Sequence, residues 1–310
     1  MSVDIFTLGE QSHIDEIISE IINARCGKPL HLAESDIEKI CVRSREIFLK
    51  EPMLLKLAAP IKVCGDLQGQ FIDLLNFFDH GGHPPAAKYL FLGNYVDHDK
   101  QSFETISLLL AYKVRFPDHI FLLHGNHESG TIERIYGFYD ECKRRYSTKL
   151  WRTFVDCFGC MPVAAIIADK IFCCPGGITS RLHSVGQIAR LPRPYMVPDK
   201  GLLSDLLWSE PNSKIVGWSD NDCDTFGVEI IEKFLKRHKF DLICRSHQIV
   251  DEGYKFFANR QLLTIFSAPN YSSEYENAGA MMNVDESLQC SFFALRPSRK
   301  ICIRKIHSTL

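Results

Sequence analysis

The stretch Ile61-Lys-Val-Cys-Gly-Asp-Leu-Gln-Gly-Gln-Phe-Ile-Asp-Leu-Leu-Asn-Phe-Phe78 decides the fold. A four-residue apolar run, Ile61–Cys64, ends in a Gly-bounded loop and gives way to helically spaced apolar residues over Phe71–Phe78. That order reads as buried strand, sharp turn and helix. It recurs twice. Tyr89–Leu92 leads into Gly93-Asn94-Tyr95-Val96-Asp97-His98 and a helical stretch over Phe103–Tyr112. Ile120–Leu123 leads into Gly125-Asn126-His127-Glu128. Strand–loop–helix alternation implies an α/β fold with parallel strands. Two later runs end in the same manner: Lys170–Cys174 before Pro175-Gly176-Gly177, and Leu242–Cys244 before Arg245-Ser246-His247. Asp, Asn and His side chains brought together at strand ends are the raw material of a metal site.

Outward from this centre, Ile14, Ile17, Ile18, Ile21 and Ile22 form the apolar stripe of an N-terminal helix, with Ser12 and Asp15 patterned as a capping box. Ser35 with Glu38 patterns a second box, opening a helix that Pro52 stops. Ile132–Tyr146 and Leu150–Phe158 read as helical. Beyond Pro162 the chain is rich in strands, Val163–Ile167, Lys170–Cys174, Leu242–Cys244, Leu262–Phe266, Ala280–Val284 and Cys290–Leu295, with a helix at 228–238. No linker or repeat interrupts this, so residues 1–310 are expected to form one catalytic-type domain. Its core spans about 12–295, and a basic, partly disordered tail covers 298–310.

Composition bounds the function. A formal net charge of −2 gives no electrostatic reason to expect nucleic acid or a membrane as partner. No signal peptide or spanning segment is expected. The 12 cysteines lie mostly in apolar runs, as free thiols do in a reducing compartment, which points to cytoplasm or nucleus. Cys157 and Cys160 form a lone CxxC and are read as thiols of the packed interior.

The blocks Asp66-Leu-Gln-Gly69, Gly93-Asn-Tyr-Val-Asp97, Gly125-Asn-His-Glu128, Arg245-Ser-His-Gln248 and Ser267-Ala-Pro-Asn-Tyr271 resemble the signature blocks of the phosphoprotein phosphatases. Within that family the chain is most similar to the protein phosphatase 1 branch, through Ile135–Tyr146 and Asn277–Met282. The resemblance covers about residues 12–295. It implies a metallophosphoesterase-like α/β/β/α sandwich and two divalent metals of the manganese, iron or zinc type, about 3.5–4 Å apart, that turn water into a nucleophile. It also implies a His general acid oriented by an Asp, two phosphate-binding arginines, and phosphoserine or phosphothreonine proteins as substrates.

Set against that pattern, three of six metal ligands are kept: Asp66, Asn126 and His247. Gln68 replaces a His, Asn94 replaces the bridging Asp, and Pro175 replaces a His. These changes remove one negative charge and two nitrogen donors, so one weakly bound metal or none is expected. His98 and Cys223 stand where the arginines belong, and Asp99 and Asp224 add charge that repels phosphate. His127 and Asp97 match the acid and its orienting partner, or equally a buried pair that holds two loops together; Asn126 and Tyr271 match the phosphate pocket. A remote groove for regulatory or targeting proteins carrying a short hydrophobic docking motif maps to Ile171, Leu242, Phe256, Arg260, Leu263, Leu288, Gln289, Cys290 and Phe292, some of which also fit as plain core. A second, substrate-side groove maps to Ile132, Ile135, Tyr136 and Trp208. The expectation is a phosphatase homologue with weak or absent catalysis that works by binding. The alternative is an active serine/threonine phosphatase with a reduced or one-metal site.

Overall fold

The structure is a computed structural model that describes residues 8–26, 30–219 and 225–297. Helices α1 (Leu8–Asn23) and α2 (Glu34–Lys50) precede a short strand β1 (Leu54–Leu57). The expected repeats follow as β2 (Ile61–Cys64), α3 (Phe71–Gly81), β3 (Tyr89–Phe91), α4 (Ser102–Arg115) and β4 (Ile120–Leu122). Next come α5 (Glu133–Tyr136), α6 (Phe138–Arg145), α7 (Thr148–Phe158), β5 (Ala164–Ile167), β6 (Ile171–Cys173) and α8 (Leu202–Trp208). A small sheet is formed by β7 (Glu210–Pro211), β8 (Trp218–Ser219) and β9 (Thr225–Phe226). The chain continues through α9 (Val228–His238), β10 (Leu242–Arg245), β11 (Tyr254–Phe257), β12 (Leu262–Ile265), β13 (Gly279–Val284) and β14 (Cys290–Leu295).

Two sheets stack face to face. One runs β14-β13-β2-β3-β4, the other β1-β5-β6-β10-β12-β11. Strand periodicity builds the layers, because alternate residues face opposite sides. Ile61 and Val63 of β2 point between the sheets, where they meet Ile171, Cys244, Leu263 and Met282. Cys64 and Phe91 point to the helical layer of α1, α2, α4 and α7. Ala164, Ile166, Phe172 and Ile243 point the other way, onto α8 and α9. Helix, sheet, sheet and helix therefore stack as the α/β/β/α sandwich. The strands β2, β3 and β4 run parallel, and so do β6 and β10, so their C-terminal ends bring the five loops to one edge.

Some local readings need correction. The N-terminal helix already begins at Leu8, which places Ser12 inside it rather than at its cap. Residue Ala33 caps α2 without a side-chain bond, and Ser35 lies within the first turn. A side-chain cap does open α7, where Ser147 accepts from the Leu150 N–H. The expected helix over 132–146 is two helices, split at Gly137, whose φ of 122° no L-residue adopts readily. Cys157 and Cys160 are buried and free. The reading of 298–310 lies outside the described residues.

Candidate active site

Gly93 and Gly125 let two of the loops touch. A Cβ on Gly93 would sit 2.5 Å from the Gly125 backbone, and one on Gly125 would sit 2.2 Å from Asn94 Oδ1. Glu128 then ties the loops together by accepting from the Asn94, Tyr95 and Gly125 N–H groups at 2.7–2.8 Å. Gln68, Asn94, Asp97, His98 and His247 all have φ between 50° and 77°. Left-handed backbone at non-glycine residues costs roughly 1–3 kcal/mol each and clusters at functional sites.

At the floor lies Asp66, 1% exposed. Its Oδ1 accepts from the Ser246 hydroxyl and, at 2.9 Å, from the His247 N–H. Its Oδ2 accepts from Gln68 Nε2 at 3.0 Å and from Asn94 Nδ2 at 2.9 Å. The amide of Asn94 is matched at both ends, since its Oδ1 accepts from the His127 N–H at 3.1 Å. His247 Nδ1 lies 3.1 Å from Asn126 Oδ1. Burial, and secondarily Arg245, lower the His247 pKa to about 4, so the ring is neutral at pH 7. Pro175 is buried and has no side-chain donor. Among the described residues no group of three His, Cys, Asp or Glu side chains is placed to hold a metal ion. The structure thus brings Asp66, Gln68, Asn94, Asn126 and His247 together through hydrogen bonds to one another.

Above the floor, His127 Nδ1 donates to Asp97 Oδ2 at 2.9 Å, leaving Nε2 as the free ring nitrogen. Asp97 Oδ1 accepts from the Phe138 N–H at 3.0 Å, which anchors α6 to the pair. His98 sits at the mouth, its ring 4.9 Å from Tyr136, 5.0 Å from Tyr271 and 5.3 Å from His127. Partial burial, together with His127, pulls its pKa below that of a free imidazole. The position expected to hold a guanidinium therefore holds a neutral ring packed on aromatics. Cys223 lies outside the described residues.

Three contributors carry no sequence signal beyond their presence in the blocks. One is Glu128, described above. Another is Ser246, whose hydroxyl also receives the Asp66 N–H at 2.8 Å. The third is Arg245, which is fully buried and donates to the carbonyls of Gly176 and Ser209 and to Gln248 Oε1. Those bonds commit its guanidinium to the protein's own polar groups. Burial lowers its pKa to about 10, so it stays cationic.

Glu133, next to this site, is fully buried. One oxygen accepts from Trp151 Nε1 and the other has no partner. Burial pushes its carboxyl well above the usual range, and Asp97 and Glu128 add to the rise. A carboxyl raised in the folded state takes up a proton on folding, so its contribution is most favourable below the unfolded pKa near 4.5 and is lost as pH rises. Glu133→Gln is expected to lose less stability than wild type as pH rises above the unfolded carboxyl range. Thermal unfolding of both proteins across pH 5–8 checks this; parallel curves would refute it.

Of the residues expected to form the docking groove, Phe256, Arg260 and Phe292 lie where the outer strands β11 and β14 meet. Tyr254 stacks on Phe292 at 4.0 Å, Phe256 meets Phe292 edge-on at 5.9 Å, and the Arg260 guanidinium lies 4.4 Å over Phe256. Leu288, Cys290 and Phe292 are half-buried and Gln289 is exposed, whereas Ile171, Leu242 and Leu263 are buried between the sheets as core. Of the substrate-side set, Ile135 and Tyr136 are 68% and 46% exposed, Ile132 and Trp208 half-buried.

Comparison with known proteins supplies the remaining findings. Residues 59–251 match the calcineurin-like phosphoesterases, and residues 14–58 match the serine-threonine protein phosphatase N-terminal domain. A solved protein serine/threonine phosphatase from Saccharomyces cerevisiae, described as similar to human phosphatase PP5, is 30% identical. The match covers 92% of this chain and 96% of that one with a TM-score of 0.87. A cold-active protein-tyrosine phosphatase from a psychrophilic Shewanella species shares the fold at 16% identity, covering 81% of this chain and 84% of its own, with a TM-score of 0.57.

Proposed function

Since this chain belongs to the phosphoprotein phosphatases, a family of metallophosphoesterases that implies divalent metals, we propose that it is a pseudophosphatase: a phosphatase-like domain that works by binding other proteins and hydrolyses phosphoesters poorly or not at all. One observation carries this reading. Asp66 Oδ2, the oxygen turned toward the centre, is held by two amide N–H donors at the Gln68 and Asn94 positions. Amide hydrogens do there what cations do for a carboxylate cage: they balance its charge at short range. The donor set does not fit a two-metal site. Gln68 and Asn94 turn donors, not lone pairs, toward Asp66, and Pro175 contributes nothing.

The phosphate clamp supports the same reading. His98 is uncharged at neutral pH, and Asp99 beside it repels a phosphate dianion. The Asp97–His127 pair then acts structurally, holding the second and third loops and the start of α6 in register.

In place of catalysis, the chain offers the β11–β14 edge. An extended peptide can add to an open sheet edge while its side chains enter pockets between Phe256, Phe292 and Leu288. The partners are regulatory or targeting proteins with a short hydrophobic docking motif. No helix among the described residues is long and apolar enough to cross a membrane. The free, buried cysteines agree with a cytoplasmic or nuclear setting.

Two assays on full-length protein test this. A docking-motif peptide is expected to bind saturably and to lose affinity on Phe256→Ala; absence of saturable binding removes the binding role. Phosphopeptide turnover in excess manganese comparable to that of an intact family member overturns the pseudophosphatase reading. Slow, manganese-dependent turnover abolished by Asp66→Ala favours the one-metal alternative.

A further inference from the structure

One side of the mouth is formed by α5, a single helical turn whose Ile135 and Tyr136 are exposed. The Tyr136 ring lies 4.9 Å from that of His98 and 5.4 Å, edge-on, from that of His127. The backbone bonds of the turn are local. The Glu133 N–H donates to the Ser129 carbonyl at 2.9 Å, the Ile135 and Tyr136 N–H groups to Ile132, and the Gly137 N–H to Glu133. Gly137 then bends the chain with φ of 122°; a Cβ there would meet nothing within 4 Å, so the bend and not crowding demands glycine. Just beyond it the Phe138 N–H is held by Asp97 Oδ1. Gly137 thus joins a tethered α6 to a lightly tied α5, as a hinge does.

Among the described residues, the side-chain hydrogen bond that ties α5 to another element runs from Trp151 Nε1 to the Glu133 carboxyl. That carboxyl is 0% exposed, and its Oε1 has no partner. The groups facing it are Asp97 from the β3–α4 loop, Glu128 from the β4–α5 loop, the Cys142 thiol from α6 and the Trp151 indole from α7. Arg134, on α5 itself, lies instead over the Tyr139 and Trp151 rings. A neutral carboxyl suits this surrounding, and burial keeps the proton on well above the usual carboxyl range. An ionised one has a single donor and two acidic neighbours, so it needs water. The element free to carry it there is α5.

We infer that the Glu133 carboxyl is a proton-operated latch: protonated, it holds α5 against the mouth, and on giving its proton to solvent it swings α5 outward about Gly137 and withdraws Tyr136 from His98 and His127. Opening uncovers the His127 ring, which is 7% exposed with the latch shut. The device belongs to this segment and holds whether or not the centre hydrolyses phosphoesters.

Full-length protein with Trp208→Phe and Trp218→Phe leaves Trp151 as the only indole, so its fluorescence reports on the latch. As pH rises from about 5 to about 9.5, acrylamide quenching of Trp151 is expected to increase at least about threefold, reversibly and with far-UV circular dichroism unchanged. Glu133→Gln, a near-isostere that cannot ionise, is expected to keep quenching at its low-pH level throughout. A second readout uses the protein with all three tryptophans. Hydrogen exchange, corrected for the intrinsic effect of pH, is expected to show residues 133–137 losing protection as pH rises while α7 keeps its own. An equal rise in quenching in Glu133→Gln overturns the inference. So does an absence of change in Trp151 and α5 before global unfolding, or a loss of protection shared equally by α7.

Discussion

Asn94→Asp is expected to destabilise the protein by about 3 kcal/mol or more at pH 7.5 in the presence of chelator. Asn94 is fully buried, and its amide both donates to Asp66 Oδ2 and accepts from the His127 N–H. A carboxylate of the same shape keeps the acceptor and loses the donor. It also places a second negative oxygen about 3 Å from the first, in a medium that screens poorly. The left-handed backbone at Asn94 tolerates Asp as well as Asn, so backbone strain does not account for the loss. Denaturant unfolding of the two proteins in chelator measures the difference. A change below about 0.5 kcal/mol, the size of an ordinary surface substitution, would falsify the idea that the amide neutralises Asp66.

Rebuilding the centre is expected to produce the second large effect. Gln68→His, Asn94→Asp, Pro175→His and His98→Arg together are expected to raise phosphopeptide turnover in manganese by at least about 10³-fold. Gln68→His and Asn94→Asp remove the amide donors facing Asp66, and the first three together supply a carboxylate and two imidazoles. The fourth puts a guanidinium among Tyr136, Tyr271 and His127, where a neutral ring now packs. His98→Arg alone is expected to gain nothing, because a bound phosphate without an activated water does not react. If the fourfold variant stays as slow as wild type, the losses named here are not the ones that matter.

Much of the fold was legible because strand periodicity, Gly-bounded turns and helical stripes agree over residues 61–128. Elements that lack those signals escaped. The strand β1 is only Leu54–Leu57 and carries an exposed Lys56, so it reads as loop after Pro52. The edge strand β11 is half-buried with Lys255 outward, and the strands of the small sheet are two residues long. The capping boxes misled for a related reason. Ser12 and Ser35 have the right spacing to an acidic residue, yet α1 and α2 start earlier, at Leu8 and Glu34.

The site was legible as a set of positions and illegible as a set of bonds. Residue identity says that Gln68 and Asn94 are poor ligands; it does not say that both turn N–H groups onto one carboxylate oxygen. Nor does His98 announce that it packs against Tyr136 and Tyr271, since those rings come from distant segments. Ser246, Glu128 and Arg245 hold the floor through backbone partners that only the loop conformations create.

The most direct test is metal content. Full-length protein and the Gln68→His/Asn94→Asp/Pro175→His variant would be incubated with excess manganese, desalted and measured by elemental mass spectrometry. An Asp66 carboxylate already satisfied by amides predicts well below one equivalent in the wild type and about two in the variant. One or two equivalents retained by the wild-type protein after desalting would contradict it.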